Sequence, residues 1–180
     1  AGYGLVSMQV QYSLLDRRPE HGLVALAGAR GFKLLCYGAL AGGVLSEQWL
    51  GAADPGFQPT NRSLVKYRLI IEEFGGWDAF QGLLAVLARI AARHGATIPA
   101  IATRWVLDRP AVAGAIIGAR YADHLPGTLA TFGVVLTPQD HAELAPLLAA
   151  HAGPPGDTYT LERDRDGPHG RIMRYNLNRD

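Results

Sequence analysis

The sequence predicts an α/β fold with a parallel sheet, because three apolar segments of strand length alternate with segments of helical periodicity. The strand candidates are 6–12, 34–37 and 111–117. Between the first two, a helical segment of about a dozen residues is long enough for the crossover that joins parallel strands. We therefore expect parallel strands covered by helices.

Composition favours one soluble domain, since 48% of the 180 residues are hydrophobic and the formal net charge is only +1. Scattered basic residues form no stripe for nucleic acid, and no apolar run is long enough to span a membrane. Cys36 is the single cysteine, which excludes an internal disulfide and a multi-cysteine zinc site. It is expected to be an inert core thiol in a reducing, cytoplasmic setting, and no metal site is predicted.

The first strand, Val6 to Tyr12, opens the chain almost at once, after Ala-Gly-Tyr-Gly and without an initiating Met. This beginning is typical of a sequence that starts within a longer protein. Pro19 suits the first turn of a helix that runs at helical spacing to a stop at Gly31.

Four further helices are predicted downstream. One runs from Arg62 to a stop at Gly75-Gly76, and the next covers Asp78 to His94 with an apolar stripe and a Gly95 stop. Thr97 can cap a third helix that ends toward Asp108, and Thr137 starts the last, which extends through Ala150. A short helix is also expected in 123–132.

The segment Lys33 to Gly51 is the strongest local indication of a binding site. An apolar strand ends at Tyr37 and enters a loop that holds Gly38, Gly42 and Gly43. Glycines let backbone N–H groups approach an anion, and the Tyr37 ring offers a flat face for stacking. These features suggest a planar ligand that carries phosphate, although glycines after a strand also form ordinary tight turns.

From Gly153 onward the chain is polar, with five Arg among 28 residues and little periodicity. It is expected to be ordered by contacts or partly disordered. Asp16, Arg17 and Arg18 lie at the exit of the first strand and are interpreted as a loop ion pair. Trp49 and Phe57 either line a substrate pocket or pack on the rim of the sheet.

Four motifs together resemble the aldo-keto reductases, and they fall in the order and at the spacing of that family. They are 9–15 (QVQYSLL), 37–45 (YGALAGGVL), 105–110 (WVLDRP) and 116–120 (IIGAR). The resemblance implies a (β/α)₈ TIM barrel that binds NADP(H) at the C-terminal ends of its strands. Val6–Gln11, Leu34–Tyr37 and Val112–Ile117 would then be strands six to eight. Residues 1–152 would be the C-terminal part of the barrel, and 153–180 an extension like that of some members.

The same resemblance assigns the catalytic Asp, Tyr, Lys and His of the family to earlier strands, so no catalytic residue is predicted in this chain. Tyr12, Tyr37 and His94 are not expected to replace them. The chain alone is therefore predicted to be inactive.

By the resemblance, Gln9 hydrogen-bonds the nicotinamide carboxamide and Tyr37 stacks under the nicotinamide. Alternatively, Gln9 caps a barrel end and Tyr37 is a core aromatic. Pyrophosphate contacts are implied for the backbone N–H groups of Leu40, Gly42 and Leu45. Gly38 shares this loop, but Gly38 and Ala39 stand where many members have Ser and Pro, so a hydroxyl donor is lost.

Gly118 and Arg120 resemble the site of the 2′-phosphate, where a loop, a helix start and a guanidinium favour an anion. An exposed Arg without a ligand is the alternative. His124 stands at a position that often faces the adenosine. Thr128 replaces the Asn that usually completes adenine recognition, and it has a shorter reach.

Three functions stay open from the sequence. The first is the cofactor-binding part of an NADP(H)-dependent reductase of aldehydes or ketones, completed by a missing N-terminal barrel half. The second is a cofactor-binding regulatory protein that resembles channel β-subunits, and the third is an inactive fragment. Open sheet edges predict self-association if nothing completes the barrel.

Overall fold

The sheet has three parallel strands in the order β1-β2-β3, as the sequence predicts. The computed structural model describes residues 4–56, 62–118 and 121–173. In these residues β1 is Ser7–Gln11, β2 is Lys33–Tyr37 and β3 is Val112–Ile116. Each strand lies within one residue of its predicted bounds at either end.

The helices follow the predicted order, with two short ones added in the C-terminal segment. They are α1 (Leu23–Arg30), α2 (Arg62–Phe74), α3 (Gly76–His94), α4 (Ile98–Leu107), α5 (Leu125–Leu129), α6 (Pro138–Ala150), α7 (Thr160–Arg163) and α8 (Pro168–Arg171). Among the described residues, no helix is both long and apolar enough to cross a bilayer.

Local capping explains where several helices begin and end. The Thr97 hydroxyl accepts a hydrogen bond from the Ala100 N–H, and Thr137 forms a reciprocal capping box with Asp140. Gly31 ends α1 in the left-handed conformation, with φ of 76°. The sequence suggested that Pro19 lies in the first turn of α1, and this prediction is wrong. Pro19 lies in a separate 3₁₀ turn, because Gly22, with φ of 148°, breaks the helical path between the two.

One face of the sheet forms the core against the helices. Val10, Leu34 and Cys36 point to this face and are fully buried. They join a continuous apolar cluster with α3 and α4. Burial raises the pKa of the Cys36 thiol to about 12, so the thiolate is scarce at neutral pH and the residue is an inert core thiol, as predicted.

The helices do not cover the other face of the sheet, and among the described residues no further strand pairs with either of its edges. On this face Gln9 is exposed and Ile116 is 44% exposed. Elsewhere, exposed apolar side chains include Val6 before β1, 80% exposed, and Phe132 and Val135 in the segment after β3, 72% and 75% exposed. Exposed apolar surface of this kind is typical of places where a partner binds.

Candidate functional site

The candidate site lies where β1, β2 and β3 end. Strand register places Gln11, Tyr37 and Ile116 side by side in one row on the open face of the sheet. Gln9 lies two residues before Gln11 on β1, opposite Leu35 on β2, and it is exposed. The structure therefore brings the predicted Gln9 and Tyr37 to the same face of adjacent strands.

The glycine loop after Tyr37 is compact and partly bonded to itself. The N–H of Ala41 donates to Gly38 O at 2.8 Å, and the N–H of Gly43 donates to Leu40 O at 2.9 Å. Gly38, Gly42 and Gly43 all have positive φ values, of 67°, 70° and 95°. The backbone of this loop thus follows a path that residues with a Cβ rarely adopt.

Tyr67 on α2 packs directly on this loop, which the sequence reasoning did not anticipate. A Cβ at Gly38 would lie 2.6 Å from the Tyr67 hydroxyl oxygen, and one at Gly42 would lie 2.5 Å from Tyr67 Cδ2. The glycines therefore make room for an aromatic ring as well as for a ligand. Tyr67 fell within the predicted helix 62–74, but nothing in its spacing signalled that it contacts the loop.

A cavity of about 420 Å³ opens between the glycine loop and the end of β3. This volume is within the range of small-molecule sites. It is lined by Gly38, Ala39, Leu40, Gly42, Gly43, Tyr67, Ile116, Ile117, Gly118 and His124. Five of the ten residues predicted to bind the cofactor are in that set, and they come from segments about 80 residues apart in the sequence.

The other predicted residues lie elsewhere or are already engaged. Leu45 is fully buried, and its N–H donates to Leu40 O at 3.3 Å. The Thr128 hydroxyl donates to the His124 carbonyl at 3.1 Å, within α5. Gln9 and Tyr37 stand beside the cavity on the strands rather than in its lining. Arg120 lies outside the described residues.

A buried ionic cluster borders the site at the end of β1. The Arg18 guanidinium donates to Asp16 Oδ2 at 2.7 Å and, through both terminal nitrogens, to the carboxylate of Glu162 at 2.9 and 3.0 Å. Gln11 Nε2 donates to the same Asp16 oxygen at 2.6 Å. The sequence interpretation of a loop ion pair is confirmed for Asp16 and Arg18, but Glu162 was not foreseen.

Burial by itself would raise the pKa of Glu162, but the hydrogen bonds and the charge of Arg18 outweigh it and lower that pKa below its ordinary value. For Arg18, desolvation lowers the pKa, but the hydrogen bonds and charges of Asp16 and Glu162 outweigh it and raise the pKa above its ordinary value. Both groups are therefore charged at neutral pH. Arg17 acts differently, because its Nη2 donates to the backbone carbonyls of Leu148 and His151.

Lys66, on α2, completes the charges near the strand ends. Its Nζ lies 5.5 Å from the centroid of the Tyr37 ring and 5.8 Å from that of Tyr67. Burial lowers the pKa of Lys66, and the charges of Glu162 and Asp16 oppose this shift. In the part of the chain that the structure describes, the ammonium has no hydrogen bond or ion pair. Lys66 was missed because its spacing on the helix is that of an ordinary polar position.

In the described residues 153–173, the polar C-terminal segment is held by contacts, which is one of the two states that the sequence allowed. The Tyr159 hydroxyl donates to the backbone carbonyl of Gln9, and Glu162 binds Arg18. Farther along, His169 Nε2 lies 2.9 Å from Glu73 Oε1 on α2. The segment 153–173 thus lies against both the loop after β1 and helix α2.

Tyr12, Tyr37 and His94 have roles that do not suggest catalysis. Tyr12 is buried and donates to Glu20 at 2.7 Å, and His94 binds the buried Asp140 at 2.7 Å, on the side of α3. Burial, with the neighbouring Tyr159 and Glu162, raises the pKa of Tyr37 to about 12, so its phenol is neutral at pH 7. Among the described residues, no group of three or more His, Cys, Asp or Glu could hold a metal ion.

The aromatic pair Trp49 and Trp77 forms a rim beside this site rather than a wall of it. Their ring centroids are 5.8 Å apart in an edge-to-face arrangement. Gln81 fixes the same loop by donating to Trp49 O and accepting from the Gly51 N–H. Trp49 thus packs against α3 and is absent from the lining of the cavity, and Phe57 lies outside the described residues.

Comparison with known proteins identifies the fold and the family. The model of the Aldo/keto reductase family matches residues 1–149. The flagellar radial spoke protein 5 of Chlamydomonas reinhardtii is 34% identical over 111 residues, which are 60% of this chain and 21% of that protein. Protein tas of Escherichia coli is 31% identical over 143 residues, 78% of this chain and 39% of that protein.

A solved structure agrees with these sequence matches. The glycerol dehydrogenase of Gluconobacter oxydans is 26% identical and superposes with a TM-score of 0.52, covering 86% of this chain and 46% of its own. This chain therefore spans less than half the length of each of the relatives compared here.

Proposed function

Because this chain belongs to the aldo/keto reductase family, we propose that it is the cofactor-binding part of an NADP(H)-dependent reductase of aldehydes or ketones. The observation that carries the proposal is the shared cavity beside Tyr37. Gly38, Leu40 and Gly42 from the loop after β2 meet Gly118 and His124 from the segment after β3. A dinucleotide needs such a site, with close backbone approach for phosphate and a flat ring nearby for a base.

The residues present fit a nicotinamide dinucleotide in their chemistry. The Gln9 amide can donate to and accept from a carboxamide, and it is exposed on the open face. The half-buried Tyr37 ring offers an uncharged stacking surface. The loop N–H groups of Leu40 and Gly42 would bind the pyrophosphate, while that of Leu45 is bonded to Leu40 and would have to exchange partners.

Recognition of the adenosine end is assigned to residues after β3. Gly118 and Arg120 would bind the 2′-phosphate, with His124 against the adenosine and Thr128 near the adenine. When bound, the cofactor would supply a hydride to the carbonyl carbon. The residues of this chain orient and hold it. The proton for the carbonyl oxygen would come from an acid on strands that this chain does not contain.

The three strands would be strands six to eight of a (β/α)₈ barrel, in a cytoplasmic protein. Supporting this arrangement are the parallel order, the open apolar face and the position of the site at the carboxyl ends of the strands. A polypeptide that supplies the N-terminal half would cover Ile116 and pair the two edges of the sheet.

A fluorescence titration with NADPH tests the proposed binding site. Arg120→Ala should weaken the binding of NADPH by about tenfold or more, because one charge-assisted contact is lost. The affinity for NADH, which lacks the 2′-phosphate, should stay nearly unchanged. Arg30→Ala, which removes an exposed Arg at the end of α1, is the matched control. Equal losses of affinity for NADPH and NADH would show that Arg120 does not bind the 2′-phosphate.

A turnover assay tests the assignment of the acid. The 180-residue chain alone should reduce no aldehyde or ketone above background, whereas the completed barrel should do so. Turnover by the chain alone would refute the assignment of the proton donor to other strands.

A second candidate function is that of a regulatory protein that binds the cofactor but catalyses no reaction. The relative from Chlamydomonas reinhardtii carries the name of a flagellar radial spoke protein, which is a component of an assembly. In a longer protein that contains this chain, the residues before Ala1 would discriminate between the two functions. A complete set of Asp, Tyr, Lys and His there favours the reductase, and its absence favours the binding protein.

A further inference from the structure

Lys66 is placed where its charge acts on whatever stacks against Tyr37. The chain has two lysines, and they lie at opposite ends of β2. Lys33 starts the strand and is exposed, whereas the Lys66 ammonium lies 5.5 Å from the centroid of the Tyr37 ring that ends it. The following argument rests on the proposed function, in which Tyr37 is the surface under the nicotinamide.

The charges around Lys66 are fixed by contacts rather than free to rearrange. Asp16 and Glu162 are both buried and both bound to Arg18, and their fields reach Lys66. Arg18 and Lys66 balance the two carboxylates in this cluster of four. Without the Lys66 ammonium, the cluster beside Tyr37 would carry a net negative charge.

The two redox forms of a nicotinamide differ in charge at the ring, because the oxidised ring is a cation and the reduced ring is neutral. A positive charge near the stacking surface therefore penalises binding of the oxidised form and leaves binding of the reduced form almost unaffected. We propose that Lys66 sets the preference of this site for the reduced over the oxidised cofactor. The site would thereby release the oxidised product more readily after hydride transfer.

The size of the effect follows from the distance and from partial solvent access. Two unit charges on the order of 10 Å apart, at the high effective dielectric of a protein surface, change a binding constant by about three- to tenfold. Added salt should reduce the difference, since partly exposed charges are screened.

The test measures dissociation constants for NADPH and NADP⁺ in the completed barrel, with this chain joined to its N-terminal strands. Lys66→Met should lower the ratio of the NADP⁺ constant to the NADPH constant by about three- to tenfold. Lys66→Arg should keep the ratio of the parent protein. Lys33→Met removes the same charge from the other end of the strand and should leave the ratio unchanged.

A second measurement needs no substitution. In the parent protein, the ratio of the two dissociation constants should fall as salt is added, because the Lys66 charge is partly screened. Binding of both forms with an unchanged ratio in Lys66→Met, or a ratio that salt leaves unchanged in the parent protein, would overturn the inference and leave the proposed function standing. Failure of either form to bind the completed barrel would overturn both.

Discussion

Arg18 and Glu162 join two parts of the chain that are 144 residues apart. The guanidinium of Arg18 is 2% exposed, and both of its terminal nitrogens meet the Glu162 carboxylate. Bidentate geometry and burial make this contact stronger than a surface ion pair. It attaches the C-terminal segment to the loop that follows β1, next to the candidate site.

Removing the central cation of this cluster should be costly. Arg18→Met leaves the carboxylates of Asp16 and Glu162 buried beside each other without their partner, which should lower the free energy of unfolding by about 3–5 kcal/mol. Glu162→Gln should cost less, because Arg18 keeps Asp16. Denaturation in urea measures both values, with Arg30→Met as an exposed control. Equal stability of Arg18→Met and the parent chain would show that the pair contributes nothing.

Loss of Glu162 should also release the C-terminal segment locally. Without the ion pair to Arg18, the contacts of Tyr159 and His169 are left to hold the segment. We therefore expect faster proteolysis within 153–173 in Glu162→Gln, while the rest of the chain stays resistant. Uniform protection of the segment in that variant would indicate that the remaining contacts are sufficient.

Substituting Gly42 should test the packing of Tyr67 on the glycine loop. Gly42→Ala combines a positive φ of 70° with a Cβ that would lie 2.5 Å from the Tyr67 ring. Gly31→Ala is a matched control, because Gly31 has φ of 76° and no atom within 4 Å of the added Cβ. The control should lose about 1–2 kcal/mol from backbone strain alone, and Gly42→Ala should lose more.

The difference between these two variants can be assigned to Tyr67 by a double substitution. Tyr67→Ala combined with Gly42→Ala should cost less than the sum of the two single changes, because the clash disappears. Thermal unfolding of the four proteins gives the coupling. Additive losses would mean that the loop moves away from Tyr67 without cost.

Much of the fold was predictable because its signals are local. The apolar stripe of 78–94, the Gly31 and Gly95 stops, and the Thr97 and Thr137 helix starts each depend on one helix, and all five are confirmed. These features depend on residues that are close in the sequence. The meeting of Gly38 and Gly118 in one cavity does not, and it was expected only because the four motifs resemble a known family.

The missed features depend on residues that are far apart. Glu162 contacts Arg18, and Tyr67 contacts Gly42, only after the chain folds. The sequence around Glu162 or Tyr67 contains no pattern that indicates these contacts. The break at Gly22 was missed for a different reason, since Pro19 suits a 3₁₀ turn as well as the first turn of an α-helix. Sequence reasoning therefore located the backbone loops of the site better than the side chains that support them.

Asp140 should govern part of the stability in acid. The carboxylate is fully buried, yet hydrogen bonds from Thr137, His94 and Arg93 outweigh the desolvation and hold its pKa well below the ordinary 3.8. A folded-state pKa below the unfolded value contributes stability above that unfolded value, and this contribution is lost as the pH falls below it. We expect the free energy of unfolding to decline below pH 3.8 for this reason.

Asp140→Asn should flatten that decline and lower stability at neutral pH, where the ionised carboxylate is no longer available to His94 and Arg93. Urea denaturation at a series of pH values measures both effects. Asp123→Asn, an exposed change in the turn before α5, should keep the acid decline of the parent chain. An identical pH profile for Asp140→Asn and the parent would exclude this carboxylate as a source of the acid sensitivity.

The open side of the sheet should drive association of the isolated chain. Among the described residues no further strand pairs with either edge of the sheet. In the segment that follows β3, Phe132 and Val135 add two exposed, large apolar side chains. Size-exclusion chromatography should therefore show an apparent mass that rises with concentration. Phe132→Lys together with Val135→Lys should shift the equilibrium toward smaller species, because it adds repulsion and removes apolar area. Gln139→Lys, an exposed change at the start of α6, controls for added charge. A monomer at every concentration would contradict this expectation, because it would mean that the open face is stable in water without a partner.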